Sequence, residues 1–390
     1  MLKQPFTPTR FTLLVLLAAA MPSLLGTAAV SPVLDLMKEA GLGSEYVVNL
    51  VLTLPPLATA AAGFFIGALS DRVGRVRILF LSLFFFAVSG VSGFFLENIY
   101  AIIAMRLILG VSIAGILPMA SALISEYYEG EQRTRYLGYL GVSNGIGVLI
   151  LQTLCGALAG FGWHYAFLVY LLGFAALPFI LLFLREPPRS CRETAACPET
   201  VPSPFCYAGI YSLVFLPALL MYLVVVNLSY YTGTFSTAVA PFWIGLLLGI
   251  FGLSSAVSGL VFWRFSRRFS PLEIGGLIFL LEAAGLLLTA VSENLILLTA
   301  GLILLGFGMG LGMPNGTAWV SKITPPAVLG RYMGGVTVST FLALFANSFV
   351  SPLVLSILGA GEYSLMFLLF AGFSLILGVV LFFCGRRLSR

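Results

Sequence analysis

Twelve runs of mostly apolar residues, each about 20 residues long, fill most of this 390-residue sequence. They cover 11–33, 46–69, 78–96, 99–124, 136–160, 164–184, 206–230, 238–262, 272–291, 294–318, 331–354 and 363–384. A run of that length crosses the hydrocarbon core of a bilayer as one helix. In lipid every backbone N–H and C=O must be paired within the segment, which leaves the helix as the natural form for such a run. The expectation is an all-α polytopic membrane protein with twelve transmembrane helices and little chain left for a domain outside the bilayer. Composition agrees: 60% of the residues are hydrophobic and 9% charged, against about a quarter charged in an ordinary soluble domain.

The cations set the orientation. With the N-terminus inside the cell, all of the 20 lysines and arginines except Lys38 and Arg106 fall in cytoplasmic segments, as the positive-inside rule requires. Both termini are then cytoplasmic, and the lipid bilayer is the first partner. The net charge of +5 reports this topology. Because the basic residues are spread over many loops, no nucleic-acid stripe is expected. The first run exceeds the length of a signal-peptide core and reads as a retained helix. The five cysteines (Cys155, Cys191, Cys197, Cys206 and Cys384) lie in spans or on the reducing side. The single histidine, His164, stands at an outside loop end. No metal site or cofactor is expected.

The sequence repeats itself at an offset of 196 residues. Leu107-Ile-Leu-Gly110 recurs as Ile303-Leu-Leu-Gly306, Pro118 as Pro314, Ser125 as Ser321, and Arg135-Tyr136-Leu-Gly138 as Arg331-Tyr332-Met-Gly334. An offset of six spans gives a parallel repeat: a six-helix bundle over 1–185, a polar proline-rich cytoplasmic linker over 186–204, and a second six-helix bundle over 205–390. Between the second and third runs lies Gly67-Ala-Leu-Ser-Asp71-Arg72-Val-Gly74-Arg75-Val-Arg77. Gly67 allows close helix approach, Asp71 can accept hydrogen bonds from the start of the next helix, and the arginines hold the turn on the cytoplasmic side. Gly259 through Arg268 echoes this hinge at its glycine and arginines, with Trp263 where Asp71 stood.

Charges inside spans are expensive and mark candidate sites. A central arginine costs about 2.5–3.5 kcal/mol on insertion scales. Arg106 lies roughly 10 Å below the outer end of its helix at 1.5 Å per residue, on one face with Gly110 and Ala114. It either binds an anion or tunes a nearby carboxylate, or it is a structural cation satisfied by carbonyls. Glu282, near the middle of the ninth run, is a protonation site or a locally paired residue. Asp35 either titrates or marks the water interface. Glu126 caps the fourth run and pairs with Arg133 or with the hinge. Gln152 is a polar substrate contact or an interhelical hydrogen bond. Asn227 and Asn315 are further polar candidates in spans, Asn315 because Pro314 beside it frees a backbone carbonyl.

The hinge G-x-L-S-D-R-x-G-R-x-R resembles the loop between helices 2 and 3 of the major facilitator superfamily. The pattern R-x-x-x-G-x-x-x-A-G from Arg106 resembles the helix 4 signature of proton-coupled facilitators. The resemblance covers nearly the whole chain and is nearest the drug-efflux-like branch of bacterial inner-membrane proteins. It implies two bundles with a central path, rocker-switch alternating access, helices 3, 6, 9 and 12 at the periphery, and a monomer. The hinge (Gly67, Asp71, Arg72, Gly74, Arg75) with Glu126 would be the latch. The expected function is secondary active transport of a small organic solute, as proton-coupled efflux. The helix 5 antiporter signature departs here, with Leu151-Gln152 in place of its Gly-Pro, which leaves open uptake or facilitated diffusion of an organic anion held by Arg106. A third reading is a non-transporting membrane sensor on a transporter fold. No catalytic dyad points to an enzyme.

Overall fold

The structure, a computed structural model, describes residues 8–22, 30–186, 204–235, 239–324, 329–359 and 361–388. Among them only helices and connecting turns occur, and eleven helices are long and apolar enough to cross a membrane. The twelfth expected span, 11–33, is represented by the shorter apolar helix α1 (Arg10–Ala20); 23–29 lie outside the described residues. The outward faces are apolar: Ile296 is 85% and Leu182 74% exposed. Such contiguous apolar surface suits lipid as its solvent.

The chain divides into two compact units, Met1–Cys191 and Arg192–Arg390. The first holds α1, a 3-10 turn at Ser31–Val33, α2 (Leu34–Glu39), α3 (Glu45–Val73), α4 (Arg75–Val91), a 3-10 turn at Ser92–Phe94, α5 (Ile99–Tyr127), α6 (Gly130–Ala159), a 3-10 helix at Trp163–Leu171 and α7 (Leu172–Phe183). The second holds α8 (Pro204–Gly233), α9 (Pro241–Ser266), α10 (Pro271–Ala290), α11 (Leu295–Ile323), α12 (Leu329–Leu358) and α13 (Tyr363–Leu388).

The repeat read from sequence reappears in the packing inside each unit. Gly110 of α5 sits on the Pro55 carbonyl and Ala58 of α3; Gly306 of α11 sits on the Phe251 carbonyl and Ser254 of α9. Both contacts keep the offset of the sequence repeat, and both depend on a missing side chain that lets two backbones meet. The two repeated prolines are handled alike. Ser121 donates to the Pro118 carbonyl at 2.9 Å and Thr317 to the Pro314 carbonyl at 3.0 Å, the same side-chain-to-backbone bond in each unit. In this packed register Arg75 and Pro271 are equivalent helix starts. The position of Asp71 therefore falls on Arg267. The motif echo, which pairs Asp71 with Trp263, is shifted by one helical turn because it matched arginines and ignored where the next helix begins.

The two helix starts are capped differently. At α10 the Ser270 hydroxyl accepts from the Glu273 N–H at 3.3 Å, while the Glu273 carboxylate accepts from the Ser270 N–H at 2.7 Å. This is a capping box with proline in the first turn. At α4 no such local cap exists. Gly74 precedes it at φ +113, a conformation that glycine adopts without a Cβ penalty. The exposed N–H groups of that turn are met from elsewhere in the unit.

Candidate functional site

Asn98 starts α5, its side chain accepting from the Tyr100 N–H at 2.9 Å, and two turns later the helix carries Arg106. That side chain is 1% exposed. Its Nη1 donates to the Tyr170 hydroxyl at 2.7 Å, and its guanidinium carbon lies 4.7 Å from the Phe167 ring centre and 5.0 Å from that of Tyr170. Both rings come from the 3-10 helix Trp163–Leu171. With three residues per turn, positions 167 and 170 project from one face. Space for them is cut by two glycines: a Cβ at Gly90 would collide with the Tyr170 ring, and one at Gly93 with the Phe167 ring.

The result is an aromatic box around a cation. A desolvated cation–π contact contributes about 2 kcal/mol, which offsets part of the burial cost. Among the described residues no carboxylate pairs with Arg106, and its Nη2 has no hydrogen-bond partner. Gln152 and Cys155, one turn apart on α6, are also buried. Phe167 and Tyr170 were not singled out in the sequence, where they read as members of one apolar run. The glycines at 90 and 93 are the signal that could have found them.

At the hinge, the Glu186 carboxylate accepts from the Arg75 N–H and, at 3.1 Å, from the Val76 N–H. A carboxylate at a helix start meets both orphan donors and the positive end of the helix dipole. Asp71, the acid expected from the sequence to accept these bonds, has its side chain outside the described residues; Glu186, at the start of the expected linker, supplies them. Arg75 also pairs with Glu126, so Glu126 does pair with the hinge, while the Arg133 side chain lies outside the described residues. Tyr127 donates to the Arg185 carbonyl beside it. Arg72 is exposed. A side chain at Gly67 would meet no described atom within 4 Å; the close approach made by α3 is at Gly110 instead.

In the second unit the buried ionisable group is an acid. Glu282, in mid-α10, is 0% exposed, and neither carboxylate oxygen has a hydrogen-bond partner among the described residues. It faces α11, where a Cβ at Gly308 would lie 3.5 Å from its Cγ. Nearby, Gly285 of α10 meets the Gly301 carbonyl of α11, so small residues bring the two helices close on either side of the acid.

The other polar candidates in this unit tie helices together. Asn227 of α8 donates to the Leu223 carbonyl at 2.7 Å and accepts from Ser351 of α12 at 2.8 Å. Asn315 of α11 donates to the Pro271 carbonyl at the start of α10 at 2.9 Å. Asn347, which the sequence reading passed over, is fully buried and donates to the Leu219 and Ala343 carbonyls, while its Oδ1 has no partner.

Asp35 stands apart in the first turn of the short helix α2. Burial pushes its carboxyl above the ordinary aspartate range. Glu39 and Glu45 add to the shift and Lys38 opposes it. Lys38 itself pairs with Glu45 at 2.8 Å.

The family model described as Major Facilitator Superfamily matches residues 16–240 and 210–390. A niacin transporter of Acinetobacter baylyi is 28% identical over 141 residues, covering 36% of this chain and 31% of that protein. A tetracycline resistance protein, class H, of Pasteurella multocida is 30% identical over 183 residues, covering 45% of this chain and 44% of that protein. The chain thus spans about a third to under a half of the length of these curated relatives. Among solved structures, a peptide transporter in complex with sulfate superposes with a TM-score of 0.79 at 14% identity, covering 98% of this chain and 96% of that one. A bacterial homologue of the human lysosomal transporter Spinster gives 0.73 at 15% identity, covering 97% and 96%. At such identities the likeness is one of fold.

Proposed function

The chain belongs to the Major Facilitator Superfamily, and from that premise we propose that this multi-pass membrane protein is a secondary transporter of a small organic solute, exporting it in exchange for protons. Alternating access of the two units to the two sides of a cell inner membrane is the mechanism, with both termini cytoplasmic and the hinge residues as latch. The protein works as a monomer, needs no cofactor beyond the proton gradient, and performs no covalent chemistry on its solute.

The observation that carries the coupling is Glu282. A carboxyl enclosed in a helix interface with no partner is stable there only in its neutral form, so it holds a proton until a change in the α10–α11 contact admits water or a cation. Intramembrane acids in that situation are natural proton carriers. Export is supported by the similarity to the tetracycline resistance protein.

The test is transport by the purified chain in proteoliposomes with an imposed pH gradient, using tetracycline and niacin as probe solutes. Glu282→Gln should lose gradient-driven accumulation at least tenfold while retaining exchange down a solute gradient, the loss expected when a proton carrier is removed. Gradient-driven accumulation by this variant at the wild-type rate would remove Glu282 from the coupling.

A second reading is supported by Arg106. Its unpartnered Nη2 is a donor suited to a carboxylate, and the similarity to a niacin transporter names one such solute class. Uptake or facilitated diffusion of an organic anion would then be indifferent to dissipating the pH gradient. It would be abolished by Arg106→Gln.

A further inference from the structure

At the foot of α9 the second unit carries three arginines in five residues, Arg264, Arg267 and Arg268, around Trp263. Among the described residues no carboxylate pairs with any of them. The acid nearest in sequence, Glu273, is engaged by its own capping box. The equivalent turn of the first unit balances Arg75 with Glu126; here the packed register puts a cation, Arg267, at the position of the hinge acid.

These arginines line one end of a cavity of about 690 Å³ whose remaining lining is mainly apolar, including Val257 and Val261 of the same helix and Phe307 of α11. Arg264 and Arg267 lie 5.3 and 4.7 Å from the Trp263 ring centre, which holds their planar donor forks in place. Trp263 is 49% and Val257 48% exposed. Val257 lies about 15 Å from Arg267 along the helix at 1.5 Å per residue, inside the apolar stretch of this span. The cavity therefore has a cationic end at the level where tryptophans anchor in the membrane interface and an apolar end at the depth of acyl chains.

We infer that this cavity is a binding site for an anionic phospholipid, the arginines taking its phosphate and the groove along Val257 and Val261 taking the upper part of a chain. Guanidinium forks bind phosphate oxygens in pairs, and basic pockets between membrane helices select anionic headgroups. A free phosphate would use the arginines alone and leave the apolar wall unexplained. An amphiphile explains both ends.

The experiment uses the full purified chain in detergent, with lipid retention followed by native mass spectrometry. Phosphatidylglycerol and phosphatidylcholine of identical chains are the probes, with inorganic phosphate as a third arm. Phosphatidylglycerol should bind about tenfold more tightly than phosphatidylcholine, given the attraction of each arginine for an anionic headgroup. The Arg267→Gln/Arg268→Gln double variant should fall to the phosphatidylcholine level, and the Arg→Lys double variant should keep a preference for the anionic lipid. A readout that does not depend on these variants folding is Trp263 fluorescence: phosphatidylglycerol with brominated chains should quench the wild type more than Trp263→Phe, and more than brominated phosphatidylcholine does. Equal retention of the two lipids, or undiminished anionic preference in the glutamine variant, overturns the proposal. So does inorganic phosphate that displaces phosphatidylglycerol and raises the melting temperature as far as the lipid does.

Discussion

Each unit buries one central ionisable group, a base in the first and an acid in the second, and the two are treated in opposite ways. Arg106 in the first is wrapped by Phe167 and Tyr170 and hydrogen-bonded to one of them. Glu282 in the second has two carboxylate oxygens with no hydrogen-bond partner among the described residues. Yet the helix contacts around them share a register, with Gly110 and Gly306 seated on equivalent carbonyls. Duplicated packing has been kept while electrostatics diverged. Backbone contact tolerates no added atoms, whereas a buried charge can be moved, reversed or dropped as long as its new surroundings accept it.

The comparison can be broken most forcefully at the shared contacts. Gly110→Val and Gly306→Val should both destabilise strongly, at or above the top of the usual 1–3 kcal/mol for overpacking, because backbone oxygen faces each added atom. Denaturation midpoints in mixed micelles measure this, and a large effect in one unit only would end the claim of a common register. Next in size is Tyr170→Phe. It removes a hydrogen bond to a charged group and should cost about 1.5–3 kcal/mol. Glu282→Gln, which loses no such bond, should cost less than Tyr170→Phe. If the two variants cost the same, the asymmetry between the buried charges is not real.

Smaller effects belong to the helix starts. Glu186→Gln weakens a charged cap and should cost about 0.5–2 kcal/mol; Ser270→Ala at the equivalent start should cost about 1 kcal/mol. The smallest effect is at Asp35. Its folded carboxyl titrates above the ordinary aspartate value, so between those two points the folded state binds more protons than the unfolded one. Stability contributed there is present at low pH and declines as pH rises through the window. Asp35→Asn should flatten that part of the pH–stability profile.

Span positions and the internal repeat were legible in the sequence because bilayer thickness fixes run length and because Gly110/Gly306 and Pro118/Pro314 recur at one offset. Arg106 and Glu282 stood out for their cost. Their surroundings did not. Phe167 and Tyr170 belong to an apolar run whose 3-10 winding carries no periodic mark. The partners of Asn227 and Asn315 are a distant serine and a backbone carbonyl, which no local pattern announces. Glu186, next to two prolines, looked like connecting chain, and only the fold brings it back to Gly74.

That return has a consequence for biogenesis. The turn between α3 and α4 is completed by a carboxylate that follows α7 in the sequence. While the ribosome is still making the intervening four membrane-facing segments, the start of α4 has none of these bonds and the turn is provisional. A nascent chain arrested before residue 186 has left the ribosomal exit tunnel should leave this turn open to amide exchange or protease, and emergence of that residue should close it. Insertion of the first unit thus carries its own completion signal, delivered by the last residues of that unit to emerge.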